Sequence, residues 1–200
     1  MRLYVETNFG LELARDQAEA PACRSLLSLC VAGHVELAIP AFALVEPWHS
    51  MEEVKRRRER LRREIRAELQ QLARSAACRD RAGMFDEPLS ILLQRAEEDD
   101  ERLRQAQAAL QESAEVIPLT ATVLELAGHL SRANSLSAPD AVILASVAMH
   151  LETSVAAPSC FVARDSDFGS ASVFAELSTR GCEKVLFRFA DALAYVRGAS

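Results

Sequence analysis

Residues Leu136–His150 read Leu-Ser-Ala-Pro-Asp-Ala-Val-Ile-Leu-Ala-Ser-Val-Ala-Met-His. Ser137 suits a helix N-cap, and Pro139 suits the first turn, where its missing N–H costs nothing. Beyond them Val142, Ile143, Ala145, Ser146, Val147, Ala148 and Met149 make nearly every side of the helix apolar or small. A helix of that kind lies inside a domain, not on its surface. Asp140 is its one acid, fixed in the first turn. By itself such an acid answers to the positive end of the helix dipole. Its further meaning depends on where the other isolated acids fall.

On the carboxyl side, Pro158 precedes an apolar strand, Ser159–Ala163, which ends on Arg164-Asp165-Ser166-Asp167-Phe168-Gly169. At the start of the chain, Met1–Val5 is a short β-rich run that stops at Glu6-Thr7-Asn8. Buried strands ending on acids and amides suit the carboxyl edge of a parallel sheet, where open α/β folds bind ligands. Helices are expected over Phe9–Arg15 and Pro21–Ala32, the second closed by Gly33, with a strand at Val35–Ile39. Pro40–Trp48 opens another helix in which Glu46 is the only charge. Pro47 removes a hydrogen bond there, so a kink is expected, or a short helix followed by a new one. Later come a strand at Val116–Leu119, a helix capped by Thr120 over Ala121–Ala133, a helix at Ala171–Ser178, a strand at Lys184–Phe189 and a closing helix at Ala190–Arg197.

Between these α/β segments the composition changes. Lys55-Arg56-Arg57-Arg58-Glu59-Arg60-Leu61-Arg62-Arg63-Glu64-Ile65-Arg66 is strongly basic, while Val54, Leu61, Ile65, Leu69 and Leu72 keep to one helical stripe. Asp80–Pro88 is the expected turn, and Leu89–Glu112 the return helix, with the acidic run Glu97-Glu98-Asp99-Asp100-Glu101. The expectation is a single domain over residues 1–200 with a helical hairpin inserted at about 51–113. Its arginines read either as a solvated face matched by those acids or as an arm that tracks phosphates. No aromatics are interleaved for base stacking.

The 200 residues carry a net charge of −6 and are 50% hydrophobic, enough for a sizeable core and too acidic for a surface that is basic throughout. Cys23, Cys30, Cys78, Cys160 and Cys182 are an odd, dispersed set, like reduced thiols of a cytosolic protein and unlike a zinc site. No apolar run is long enough to span a membrane, and the first residues lack a signal peptide's pattern, so a cytoplasmic protein without membrane contact is expected. No Gly-rich phosphate loop occurs.

In a parallel sheet the strand carboxyl ends share one edge, and the following helices open onto it. Glu6 and Asp165 end strands, Asp140 begins a helix and Glu46 lies early in one. All four can therefore meet. Carboxylates held together repel one another and raise each other's pKa, a cost that a divalent cation removes. Hard oxygen ligands point to Mg²⁺ or Mn²⁺, and His49 alone makes no zinc site. Such an ion activates water and neutralises charge on a phosphodiester.

Taken in order, Val5-Glu6-Thr7-Asn8-Phe9, the solitary Glu46 after Ile39-Pro40, Ser137–Ala145 and Val162-Ala163-Arg164-Asp165-Ser166-Asp167-Phe168 resemble the four signatures of PIN-domain nucleases. The resemblance covers residues 1–50 and 114–197 and leaves the hairpin outside. It is nearest to the toxin ribonucleases of bacterial toxin–antitoxin pairs. It implies a PIN-like three-layer α/β/α fold around a central, mostly parallel sheet. It makes Glu6, Glu46, Asp140 and Asp165 the catalytic, metal-binding acids, Asp167 an outer or second-metal ligand, and Asn8 the residue that orients the first carboxylate. The activity it implies is Mg²⁺- or Mn²⁺-dependent endoribonuclease cleavage of RNA by a homodimer, silenced by an antitoxin protein in the acidic pocket.

Two positions depart from that pattern. The first acid is normally Asp, and Glu6 reaches roughly 1.5 Å further. Misplacement of about an ångström costs on the order of a hundredfold in rate. Ala163 stands where Ser or Thr is usual. Both departures keep open the alternative of a PIN-like module, weakened or inactive in catalysis, that binds RNA or protein through its hairpin. A phosphatase on a doubly wound sheet would need an aspartyl nucleophile where Glu6 stands.

Overall fold

The computed structural model describes residues 1–78, 83–154 and 158–199. By internal contacts the chain divides into two units, Met1–Pro47 with Leu103–Ser200, and Trp48–Arg102.

The first unit is built on five strands, β1 (Arg2–Val5), β2 (Glu36–Pro40), β3 (Glu115–Ile117), β4 (Ser159–Val162) and β5 (Cys182–Leu186). They form one sheet in the order β3-β2-β1-β4-β5, and every pairing is parallel. The expected α/β class is therefore what the chain adopts, with a sheet that is parallel in all its pairs. β1 lies in the middle: Leu3, Tyr4 and Val5 are fully buried, as a strand covered on both faces requires. β5 starts two residues before the expected segment and ends three before it. Its register with β4 shifts between Ser159 and Cys160, and Phe187 and Arg188 leave the ladder.

α-Helices make up most of the remainder of both units. They are α1 (Thr7–Arg15), α2 (Ala20–Val31), α3 (Ala41–Leu72), α4 (Asp86–Ser113), α5 (Ala121–Asn134), α6 (Ala138–Thr153), α7 (Ala171–Ser178) and α8 (Phe189–Ala199). α1, α2 and α8 pack together, with Phe9 edge-on to Phe189 at 5.2 Å between ring centroids. α5, α6 and α7 form a second set, in which α6 lies against β2 and β3. As its sequence requires, α6 is buried along most of its length, from Ala141 to Leu151. Tyr4 of β1 reaches His150 near its end, hydroxyl to Nδ1 at 3.0 Å. Among the described residues, no helix is long and apolar enough to cross a membrane.

Pro47 does not end its helix. α3 runs through it to Leu72 as one element, against the expected kink or new start. A proline there leaves the carbonyl one turn back without its donor. In that same turn the Gln107 side-chain amide donates to the Leu44 carbonyl, so a side chain joins the helical ladder where the proline disturbs it. The ring also sits beside Gly10, where an added Cβ would come to 3.9 Å of Pro47 Cγ.

Thr120 caps α5 as the sequence indicates, its hydroxyl accepting from the Val123 N–H at 3.2 Å. Thr120→Ala is expected to lower unfolding free energy by about 1 kcal/mol. Urea titration checks this, and an unchanged midpoint would contradict it.

The second unit holds the basic and acidic helical segments. Residues 80–82 of the expected turn lie outside the described residues, and α4 already begins at Asp86. Asp99, 3% exposed in its side chain, gathers Arg58 (3.3 Å), Arg95 (3.2 Å) and Arg102 (3.1 Å). Lys55 lies 3.8 Å from Asp100. Arg58 with Asp99 and Lys55 with Asp100 match the basic segment to the acidic run, as one of the two sequence readings required, while Arg95 and Arg102 reach Asp99 from within α4. Arg57, Arg60, Arg63 and Arg66 are exposed, and none has an acid partner among the described residues.

Candidate metal centre

β1 ends at Val5, and Glu6 turns the chain into α1 as its N-cap, with φ −108° and ψ −174°. Its carboxylate accepts the Asn8 backbone N–H at 2.7 Å and the Asn8 side-chain amide at 3.2 Å, both on Oε2. Oε1 accepts the backbone N–H of Arg164 at 3.1 Å. Glu6 is 2% exposed. Burial pushes its pKa up to about 7 despite those three donors, and the negative charge of Glu46 adds to the rise. Asn8 thus orients the first carboxylate, by backbone and side chain together.

Glu46 stands early in α3, where its Oε2 accepts the hydroxyl of Thr7. The residue after Glu6 therefore fixes Glu46, so Glu6 and Glu46 are held as neighbours through α1.

Three other acids form a tighter group. Ser137 caps α6 by accepting the Asp140 N–H at 3.3 Å, and its hydroxyl donates to Asp140 Oδ2 at 2.5 Å. That local exchange fixes the carboxylate at the mouth of the helix. Beyond β4, Asp165 caps a short 3₁₀ turn, Ser166–Gly169, by accepting the Asp167 N–H at 3.0 Å. Asp140, Asp165 and Asp167 each offer an oxygen, and these lie within 4.8 Å of one another. The Asp140 pKa is raised, first by burial and then by the charges of Asp165 and Asp167, while the Ser137 hydroxyl opposes the rise. The structure thus places the isolated acids in two subsets, Glu6 with Glu46 and Asp140 with Asp165 and Asp167. Arg164 stands between them, its N–H on Glu6 and its chain neighbour in the trio.

An oxygen-only donor set of this spacing fits a hard divalent cation. The mutual repulsion that raises Asp140 is the electrostatic cost such an ion would relieve. Ala163 is fully buried and supplies no polar side chain at the end of β4.

Sequence reasoning passed over three residues here. Thr7 was given no role between Glu6 and Asn8. Arg164 was given no role beside Asp165. Glu12 is 1% exposed, and its Oε1 accepts the Arg164 guanidinium. Its signal was present: like the other acids, Glu12 is a lone carboxylate among apolar residues, between Leu11 and Leu13.

No protein-family model matches the chain, and no curated relative does. Among solved structures, the chain is similar to the VapBC2 complex of Rickettsia felis bound to a DNA fragment from their promoter. The match has 11% identity and a TM-score of 0.43, and covers 84% of this chain and 91% of that one.

Proposed function

We propose that this chain is a metal-dependent endoribonuclease, hydrolysing RNA phosphodiester bonds with Mg²⁺ or Mn²⁺ as the toxin of a toxin–antitoxin pair. The observation that carries the reading is the approach of Asp140, Asp165 and Asp167 within 4.8 Å, on elements that leave the carboxyl edge of a parallel sheet. Asp140 and Asp165 would hold the cation, together with Glu6 from the end of β1. Asp167 would bind from outside that shell or hold a second ion. Glu46 would complete the shell or accept a proton from the attacking water, with Thr7 fixing its orientation. When bound, the cation supplies Lewis acidity towards water and the phosphodiester. The family resemblance adds a homodimer and an antitoxin partner that covers the acids. Arg57, Arg60, Arg63 and Arg66 would contact RNA phosphates.

Ordinary linkage gives the first test. Mn²⁺ at about a hundred times its Kd adds about 2.7 kcal/mol, so Tm should rise by roughly 5–10 °C. A mixed RNA pool should be cleaved in Mn²⁺ and spared in EDTA. Failure of both would refute the assignment.

One observation favours a second reading. Both oxygens of Glu6 already accept N–H donors, which is what a helix cap alone needs. A PIN-like binding module that has lost catalysis fits that fact. It predicts no Mn²⁺ shift, together with RNA or protein binding that is lost when the exposed arginines are changed.

A further inference from the structure

We infer that the ion pair between the buried Glu12 and the more exposed Arg164 is a positioning tie that sets the spacing between the two acid subsets, and so holds the metal centre in register. The inference rests on the nuclease reading and assigns roles to two residues outside the acid set.

Arg164 makes two contacts with α1. Its backbone N–H donates to Glu6 at the first end of that helix. Its guanidinium reaches Glu12, two turns further on. Asp165 follows it directly, and Asp167 bonds back to Asp165. The loop that carries two members of the trio is therefore pinned at two points to the helix that carries Glu6, and through Thr7 to Glu46.

Glu12 is itself held from the other side. Its Oε2 accepts the backbone N–H of Glu19 at 2.9 Å, so each carboxylate oxygen has a donor. The motif is repeated one strand along. Arg164 stands two residues beyond the end of β4, and Arg188 two beyond the end of β5. Arg188 donates to Glu19 at 3.4 Å, and Glu19 also accepts the Ala190 N–H at 2.8 Å. Two buried acids thus brace two strand exits, and only the first exit carries the acidic trio. A carboxylate as buried as Glu12 needs such partners to offset its lost hydration.

Residues behind a metal shell typically change metal affinity or activity by about 10- to 100-fold when replaced. Arg164→Ala and Glu12→Gln should each weaken Mn²⁺ affinity and lower kcat by a factor in that range, with KM for RNA held within about twofold. The double variant should be no worse than Arg164→Ala, because both changes break one contact. Arg164→Lys should recover most of the loss. Arg188→Ala, which loosens the parallel pair, should leave Mn²⁺ affinity unchanged.

The experiment is Mn²⁺ titration by calorimetry and steady-state cleavage on the full chain, with Tm measured in EDTA. If metal-free Tm falls while Mn²⁺ affinity and kcat match wild type, the tie is structural only and the inference is overturned. A raised KM with unchanged kcat would instead make Arg164 a phosphate contact and overturn it too. If wild type itself neither binds Mn²⁺ nor cleaves RNA, the nuclease reading fails, and the inference with it. Should Glu12→Gln not fold, Arg164→Ala against Arg164→Lys decides.

Discussion

Asp140→Asn should abolish Mn²⁺-dependent RNA cleavage, a loss of about a thousandfold or more, while leaving the metal-free fold intact. The two halves of that expectation have separate causes. Asparagine keeps the shape of the side chain and the backbone N–H that Ser137 accepts. It gives up a favourable charge at the α6 N-terminus, worth about 0.3–1 kcal/mol. It also removes the repulsion from Asp165 and Asp167, which works the other way. Metal-free unfolding free energy should therefore stay within about 1 kcal/mol of wild type. Cleavage kinetics beside urea unfolding in EDTA check both halves. Undiminished cleavage would remove Asp140 from the site, and an unfolded variant would make it structural.

The second large effect lies in the pH dependence of stability. Glu6 titrates at about 7 in the folded chain against an ordinary value of 4.5. Burial is the main cause, with Glu46 adding to it. Because the folded pKa is raised, the native state holds a proton that the unfolded state has released between those two values. Metal-free stability from this group therefore falls as pH rises from 4.5 to about 7, by roughly 3 kcal/mol, and stays low above that. Glu6→Gln removes the titration. The variant's unfolding free energy, relative to wild type, should climb by roughly that amount across the window. In Mn²⁺ the order should reverse, because a ligand carboxylate must be ionised to bind. Wild type should gain Mn²⁺ stabilisation as pH passes 7, and Glu6→Gln should not. Parallel pH curves for the two proteins in EDTA would contradict the burial argument.

A carboxylate kept at that cost is what a site selected for function rather than stability looks like. The costs in this chain are arranged locally. Glu6 doubles as a helix cap, Asp140 as a first-turn acid and Asp165 as the cap of a 3₁₀ turn. Each is also explicable as local structure. Only their common edge makes them a set.

That dual role explains what could be read from the chain alone. Caps and strand ends are short-range patterns, so Ser137 before Pro139, Thr120 before α5 and the apolar runs before Glu6 and Arg164 marked the elements directly. A parallel sheet then follows from alternating strands and helices, and it sends those acids to one side. Pro47 misled because a proline's local rule did not hold, and its surroundings, Gln107 on the Leu44 carbonyl and Gly10 beside the ring, come from distant parts of the sequence. The division of the acids into two subsets could not be read either, since it depends on side-chain reach. The Glu12–Arg164 pair joins positions more than 150 apart, with no periodicity to announce it. The lone-acid pattern that picked out Glu6, Glu46 and Asp140 extends to Glu12, but it does not point to Arg164.

Mn²⁺ soaked into a crystal of the metal-free protein, with data collected at the manganese edge, tests the central claim most directly. The nuclease reading predicts an anomalous peak between Asp140 and Asp165, with carboxylate oxygens at about 2.0–2.2 Å and Glu6 turned to meet the ion. A crystal with no peak among these acids, or with manganese bound only elsewhere on the surface, would contradict it.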